Sequence, residues 1–536
     1  MRRWNGWGDD ALGMTLNDNA IAMLTERVGA GHKVEDASLE SVLAQVPPSP
    51  LAGQHGVDIS PRARYSVALG ESYPDWIKKR FGVAVPVPDG VVYPETSAEV
   101  RHWLDRAGEQ GWQVIPYGGG TSVAGHLDCP AGSRPVLSLN LSRMTRLLHL
   151  DQGSQLATLG AGAPGPVLEA QLRAHGYTLG HFPQSFEYST VGGWVVTRSS
   201  GQQSLRYGRI EQLFAGGRFE TPIGTLELPT FPASSAGPDL RELVLGSEGR
   251  FGVLTEAVMR VSRLPEHESF HALFFPDWER AEAAVRELVR AKLPLSMLRL
   301  SNAIETLTNL TLAGHADLIR WLERYLGWRG CPVGDKCMLM LGVSADRRSA
   351  AQALASARRL SRQHGGVYIG RRMGDKWRDN RFKGPYLRNT LWEHGYAADT
   401  IETAVDWPRV KPLMQAMEQA ARDAFAEDGE RVHAFTHLSH LYSQGSSIYS
   451  TFVYRIAPGG FAPNLERWRR YKARVSEAIV SHGGTISHQH GVGSDHAPYL
   501  PAEKGPLGMA TLAELCRHFD PQGIMNPGKL LQDPPR

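Results

Sequence analysis

Residues 116–125 read PYGGGTSVAG, three consecutive glycines directly after the apolar run QVIP (113–116). Glycines in series let the backbone take positive φ and approach a ligand with no Cβ in the way. Successive N–H groups in such a turn form an anion-binding nest, and Thr121 and Ser122 add hydroxyl donors. The combination suits a pyrophosphate. It is not a Walker loop, because no Gly-Lys-Ser/Thr follows, and it is not a G-x-G-x-x-G turn opening a helix. Taken alone, these ten residues also fit a plain tight turn.

Working outward, QVIP reads as a strand that runs into the loop. Upstream, VVYP (91–94) is a β-branched strand signal. Between them, Thr96 and Glu99 fit a capping box, and Val100, Trp103, Leu104 and Ala107 recur at helical spacing before Gly111. The unit is therefore β-α-β. Downstream, PGPVLEAQLRAHG (164–176) starts on proline and stops on glycine, as helices do. The stretch 180–213 combines Gly192-Gly193, a predicted Ser/Thr-rich strand and a Ser-Ser-Gly turn. From about 266 to 480 long helices such as 277–292 and 410–429 alternate with strands. The expected division is an N-terminal helical arm (1–82), a glycine-rich domain (83–265), a second α+β domain (266–490) and a C-terminal segment (491–536).

The chain has 536 residues, enough for roughly three or four domain-sized units. Its 58 basic and 55 acidic residues leave a net charge of +3, which gives no case for nucleic acid or an anionic membrane surface as partner. Four cysteines without a C-x-x-C pair make no disulfide framework and fit a reducing cytoplasm. The start, MRRWNGWGDDALGM, reads as neither a secretory nor a twin-arginine signal. No run of about 18 apolar residues is present.

Three further segments accompany the glycine loop: residues 180–213, GSEGRFGVLTEAVMRV (246–261) and FDPQGIMNPGKLL (519–531). Together the four resemble the FAD-binding domain of vanillyl-alcohol oxidase-type (PCMH-type) flavoproteins. Within that group, the chain from GESYPDWIKKR (70–80) to its end is most similar to the alkyldihydroxyacetonephosphate synthases and their bacterial relatives. The resemblance implies an α+β fold: a two-part FAD-binding domain and an α+β cap over the substrate. It assigns the FAD pyrophosphate to Pro116, Tyr117, Gly118, Gly119, Gly120, Thr121 and Ser122. Further FAD contacts are expected from Gln184, Ser185, Ser189, Thr190, Gly193, Thr197, Arg198, Ser199, Ser200, Gly246, Ser247, Glu248, Gly249, Gly252, Val253 and Asn526. Some relatives attach the flavin through a histidine in the first loop. None stands there in this chain, so non-covalent FAD is expected.

On the substrate side, Arg388 matches the family's substrate arginine. Its guanidinium suits a phosphate or carboxylate, although arginines more commonly make structural ion pairs. Tyr449 matches the family's active-site tyrosine and Arg299 an arginine needed for activity. A phenol titrates near 10 and needs neighbouring cations or a partner base to move a proton. In SHQHGVG (487–493), a strand reading puts His488 and His490 on one side and Gln489 on the other. Two imidazoles so spaced can also bind zinc, but a site needs a third ligand and none stands at a recognisable spacing. The resemblance decides against metal: the family motif has three histidines lining the substrate side of the flavin, and this chain has Gln489 at the middle place. His181 matches a family histidine beside the flavin. The picture is a flavin ring under a cationic, histidine-lined roof.

Two activities are open to such a chain. One exchanges the acyl chain of an acyl-dihydroxyacetone phosphate for a fatty alcohol at the flavin N5. The other oxidises a 2-hydroxy acid of the D-lactate type. The resemblance also implies a homodimer and leaves peripheral membrane contact open.

Overall fold

The computed structural model describes residues 1–314 and 316–532. Its first layer is a parallel sheet of β1 (Gly90–Val92), β2 (Gln113–Tyr117) and β3 (Val136–Asn140), with β3 in the middle. The connecting helix Ser97–Gln110 begins where its capping residues place it. Thr96 Oγ1 accepts from the Glu99 N–H at 3.2 Å, and the Glu99 carboxylate accepts from the Glu95 N–H at 2.8 Å. Val100, Trp103, Leu104 and Ala107 are buried, and Gly111 closes the helix in the left-handed conformation.

An antiparallel sheet follows, in the order β4-β5-β9-β7-β8. Its strands are β4 (Leu147–Asp151), β5 (Leu156–Gly160), β7 (Phe214–Thr221), β8 (Gly224–Leu228) and β9 (Val253–Arg260). The short β6 (Tyr177–Thr178) pairs with β10 (Ser262–Arg263). The Ser/Thr-rich strand expected within 180–213 is absent. Val191–Val196 is instead a helix, capped by Thr190, whose hydroxyl accepts from Gly193 N–H. Val191, Trp194 and Val195 have helical spacing and are buried together, which overrides the β-branched composition.

The last sheet has seven strands in the order β14-β11-β13-β12-β16-β17-β15. They are β11 (His267–Phe275), β12 (Leu295–Ser301), β13 (Cys337–Ala345), β14 (Val367–Gly370), β15 (Tyr396–Asp406), β16 (Val432–Leu438) and β17 (Gly445–Arg455). Side chains alternate across it. Leu298, Leu300, Leu438 and Ile448 face the long helices Trp278–Arg290, Trp407–Ala426 and Phe461–Ser481. Phe270, Phe274, Met297 and Met340 face the other way, toward the helices Ala303–Ala313, Ala316–Trp328 and Arg372–Asn380. Arg299, His437 and Tyr449 alternate with residues of the first set, so they share this second face.

The two ends of the chain are stitched in. In the N-terminal arm, Trp7 is buried against Trp76 and Tyr386, and Asn389 both donates to its carbonyl (2.8 Å) and accepts from its N–H (3.1 Å). Near the C-terminus, residues 524–526 pair with β2: Val114 donates to the Ile524 carbonyl at 2.7 Å, and Asn526 donates to the Val114 carbonyl at 2.8 Å.

Candidate active site

The glycine loop floors an open cleft. A Cβ on Gly119 would stand 1.9 Å from the Tyr188 carbonyl oxygen, so only bare backbone fits there. Gly120 has φ +66°, a conformation side chains resist. The loop residues Pro116 to Ser122 all line the cleft, and Ser185, Ser189, Thr190, Gly193, Thr197, Ser199, Glu248, Gly249, Gly252, Val253 and Asn526 join them from distant segments. Among the described residues, Gln489 Oε1 and Asn526 Oδ1 are buried there with no hydrogen-bond partner. Unmet acceptors beside a nest of N–H donors fit a ligand with both phosphates and ring N–H groups, such as a flavin dinucleotide.

Five expected cofactor residues fall outside this lining. Gln184 is exposed, its amide standing over Gly384. The Arg198 guanidinium turns away to Glu242, and Ser200 Oγ lies 3.1 Å from His440 Nδ1. Gly246 and Ser247 border a second cavity behind the cleft, with Arg198, Arg209 and His488.

SHQHGVG is not a strand. It bends around the buried carboxylate of Glu402 on β15, which accepts from the N–H groups of His488 (3.0 Å), Gln489 (3.0 Å) and His490 (3.1 Å) and from Ser487 Oγ (3.0 Å). The bend separates the two histidines that strand geometry would align. His490 lines the cleft, whereas His488 points into the second cavity, its Nε2 within 2.6 Å of Tyr442 Oη and bonded to Arg209.

His490 stands edge-on to Tyr449, with ring centroids 5.7 Å apart, and His437 stacks on the same tyrosine at 4.9 Å. Arg299 makes the ion pair of its structural reading: its Nη2 lies 2.7 Å from Glu305 Oε1, and it is also 3.2 Å from His437 Nδ1. Burial opposes the charge on Glu305, but His437 and Arg299 outweigh it and hold the carboxyl down at about 2. Among the described residues Arg388 makes no ion pair. It donates to the Glu71 carbonyl at 2.8 Å and lies 4.0 Å over the Trp76 ring.

The histidines of the roof are shifted toward the neutral form, while Arg299 and Arg209 stand among them. Burial, then Arg209, lowers His181 and His440 to about 3, and burial also depresses His488, His490 and His437. Tyr449 moves opposite to the direction that cations would cause: burial pushes it up to about 12. His181 stands behind the cleft wall, 3.2 Å from Ser199 Oγ and against Trp194. Sequence reasoning missed Glu402, Glu305, His437 and His126. Glu402 had a signal, a lone acid in the apolar strand TIETAV (400–405), and His437 and His440 sit in THLSHL (436–441). His126 lines the cleft with Nδ1 2.6 Å from Ser122 Oγ and Nε2 3.0 Å from Glu248.

Known proteins resemble this chain in sequence and fold. Residues 88–228 match the family described as FAD binding domain, and 264–530 match FAD linked oxidases, C-terminal domain. The alkyldihydroxyacetonephosphate synthase of Dictyostelium discoideum is 30% identical across 88% of this chain and 77% of its own length. The chain belongs to the alkyldihydroxyacetonephosphate synthase family. The Trypanosoma brucei brucei member is 28% identical over 99% of this chain and 93% of its own. A solved alkyldihydroxyacetonephosphate synthase superposes with a TM-score of 0.85 at 25% identity, covering 98% of both chains. As a family member the protein is an FAD-dependent enzyme of the vanillyl-alcohol oxidase-type fold.

Proposed function

We propose that the protein exchanges the ester-linked acyl chain of an acyl-dihydroxyacetone phosphate for a fatty alcohol, giving an ether-lipid precursor. The observation that carries this reading is the packing of Tyr449 against His437 and against His490, the histidine that lines the glycine-loop cleft. Bound FAD supplies an electron-pair acceptor for the substrate carbon, so that one chain leaves before the other adds.

The chain's own residues bind and move protons. His490, neutral and facing the cleft, takes the proton from C1, and the neutral phenol of Tyr449 holds and returns protons at the departing and entering oxygens. His488 is not assigned this step, because its Nε2 is engaged by Arg209 and Tyr442 in the second cavity. Glu402 fixes the His490 backbone. Arg299, held by Glu305, orients His437 against the Tyr449 ring. Arg388, stacked on Trp76, binds the substrate phosphate through its fork. Non-covalent FAD follows from a first loop without histidine, and the nearby His126 turns its Nδ1 to Ser122 Oγ. Four cysteines without a C-x-x-C pair fit a cytoplasmic enzyme, and we assign it a homodimeric state.

The test is to supply an acyl-dihydroxyacetone phosphate and a fatty alcohol without oxygen. Ether product with released fatty acid and no net flavin reduction is expected. Full bleaching of the flavin by a 2-hydroxy acid, with no ether formed, would replace this reading with the dehydrogenase one.

A further inference from the structure

Arg388 is half-buried, and its surroundings hold it without neutralising it. Its Nη1 donates to the Glu71 carbonyl, and the Glu71 N–H donates to the Ser122 carbonyl at 2.7 Å. One residue therefore joins this arginine to the glycine loop. The Glu71 carboxylate is taken elsewhere: it accepts from Trp76 Nε1 at 2.6 Å and from Lys79 Nζ at 3.4 Å. Trp76 is thus locked in place, and Arg388 lies over its ring, 4.0 Å from the centroid. A guanidinium on an aromatic face keeps its charge and leaves N–H donors at its edge for an anion.

The helix that carries Arg388 (Leu387–Glu393) is fixed in turn by the N-terminal arm. Asn389 is buried, and besides its two bonds to the Trp7 backbone, its Oδ1 accepts from Arg80 Nη2 at 3.4 Å. Gly6 makes that approach possible, since a Cβ there would stand 2.3 Å from Asn389 Oδ1. Arg80 is anchored by Asp36 at 2.7 Å and lies over the same Trp76 ring at 5.1 Å. Thr390 adds a third tie, its hydroxyl donating to the Met14 carbonyl at 2.6 Å. The two residues that follow Arg388 are therefore bound to the arm, while Arg388 itself rests on Trp76.

We infer that Trp76 and Asn389 are positioning residues for Arg388. The tryptophan face sets the plane of the guanidinium. The N-terminal arm, through Asn389, sets the helix that delivers it. A long side chain that must order itself around a ligand loses rotamer freedom at that moment and weakens binding. Here the ordering is completed in the folded protein, so a phosphate meets a cation already in place. The inference rests on the phosphate role given to Arg388 above.

The experiment is isothermal titration calorimetry of the FAD-loaded protein with dihydroxyacetone phosphate, below the unfolding temperature of every variant. Arg388→Ala is expected to weaken binding at least about tenfold, the loss of bonds to a charged group. Asn389→Ala and Trp76→Leu are each expected to weaken it about tenfold with the flavin spectrum retained. Trp76→Phe keeps a ring face and is expected to lose less than Trp76→Leu. A positioning residue acts only through its partner. In the Arg388→Ala background, neither Asn389→Ala nor Trp76→Leu is expected to weaken binding further. The two variants break different contacts, so either one decides the matter if the other fails to fold. Unchanged affinity in the folded variants, with Arg388→Ala defective, would overturn the inference and leave the phosphate role standing. So would equal losses with and without Arg388, which mark a general loosening of the site. Unchanged affinity in Arg388→Ala, or no binding by the parent protein, would overturn the phosphate role and the inference with it. No turnover enters the readout, so the exchange reaction is judged separately.

Discussion

Glu402 lies directly across the β15–β17 ladder from Tyr449, and its carboxylate gathers the N–H groups of His488, Gln489 and His490. One buried carboxyl group therefore registers Tyr449 against the cleft's histidine. Glutamine at 402 keeps one acceptor and turns an N–H donor toward other donors. Bonds to a charged group are each worth about 1.5–3 kcal/mol. Glu402→Gln is expected to lose about 3 kcal/mol of stability in urea unfolding and to lower turnover, because His490 is no longer held. Wild-type values for both would show that the loop is fixed by other contacts.

Tyr449→Phe removes one hydroxyl from a ring that His437 and His490 keep in place. Proton transfer by a positioned group contributes about 10²–10⁴-fold. Turnover is expected to fall in that range, with the flavin spectrum unchanged. Because burial lifts the phenol to about 12 and lowers His490, the wild-type rate is expected to be level from pH 6.5 to pH 10. A decline centred near neutrality would show that another group carries the proton.

Gly119 has no room for a side chain, since a Cβ would meet the Tyr188 carbonyl at 1.9 Å. The obstacle is backbone, so Gly119→Ala must displace the loop. Losing two phosphate bonds at about 1.5–3 kcal/mol each weakens FAD roughly 100-fold or more. The variant is expected to purify largely colourless, with normal far-UV circular dichroism. A full complement of tightly bound flavin would place the pyrophosphate elsewhere.

The parts of the molecule legible in the sequence are those fixed by near neighbours. Thr96, Glu99 and Gly111 bound a helix by local hydrogen bonds and backbone freedom, and the glycine loop follows from steric rules over a few residues. The fate of SHQHGVG was not legible, because the carboxylate that bends it arrives from a strand 86 residues away. A strand reading therefore aligned two histidines that the structure turns into different cavities. The same non-locality hid the state of the roof. Histidine spacing says nothing of the burial that keeps His440 and His181 uncharged.

That burial makes acid sensitivity a property of the fold. His433 on β16 is buried, with Nε2 2.9 Å from Thr308 Oγ1, and burial, then Arg27 and Arg422, lowers it to about 4 from 6.5. Between those values the unfolded chain binds a proton that the folded one refuses. The contribution is complete above pH 6.5 and is lost as pH falls through 4, roughly 3 kcal/mol in all. His433→Gln keeps a polar partner for Thr308 but cannot titrate. Its unfolding free energy is expected to fall less steeply between pH 6.5 and 4, by about 1.4 kcal/mol per pH unit. Urea titrations at several pH values measure both slopes. Equal slopes would mean that His433 takes its proton inside the folded protein, and the acid sensitivity would then have to come from the other buried histidines.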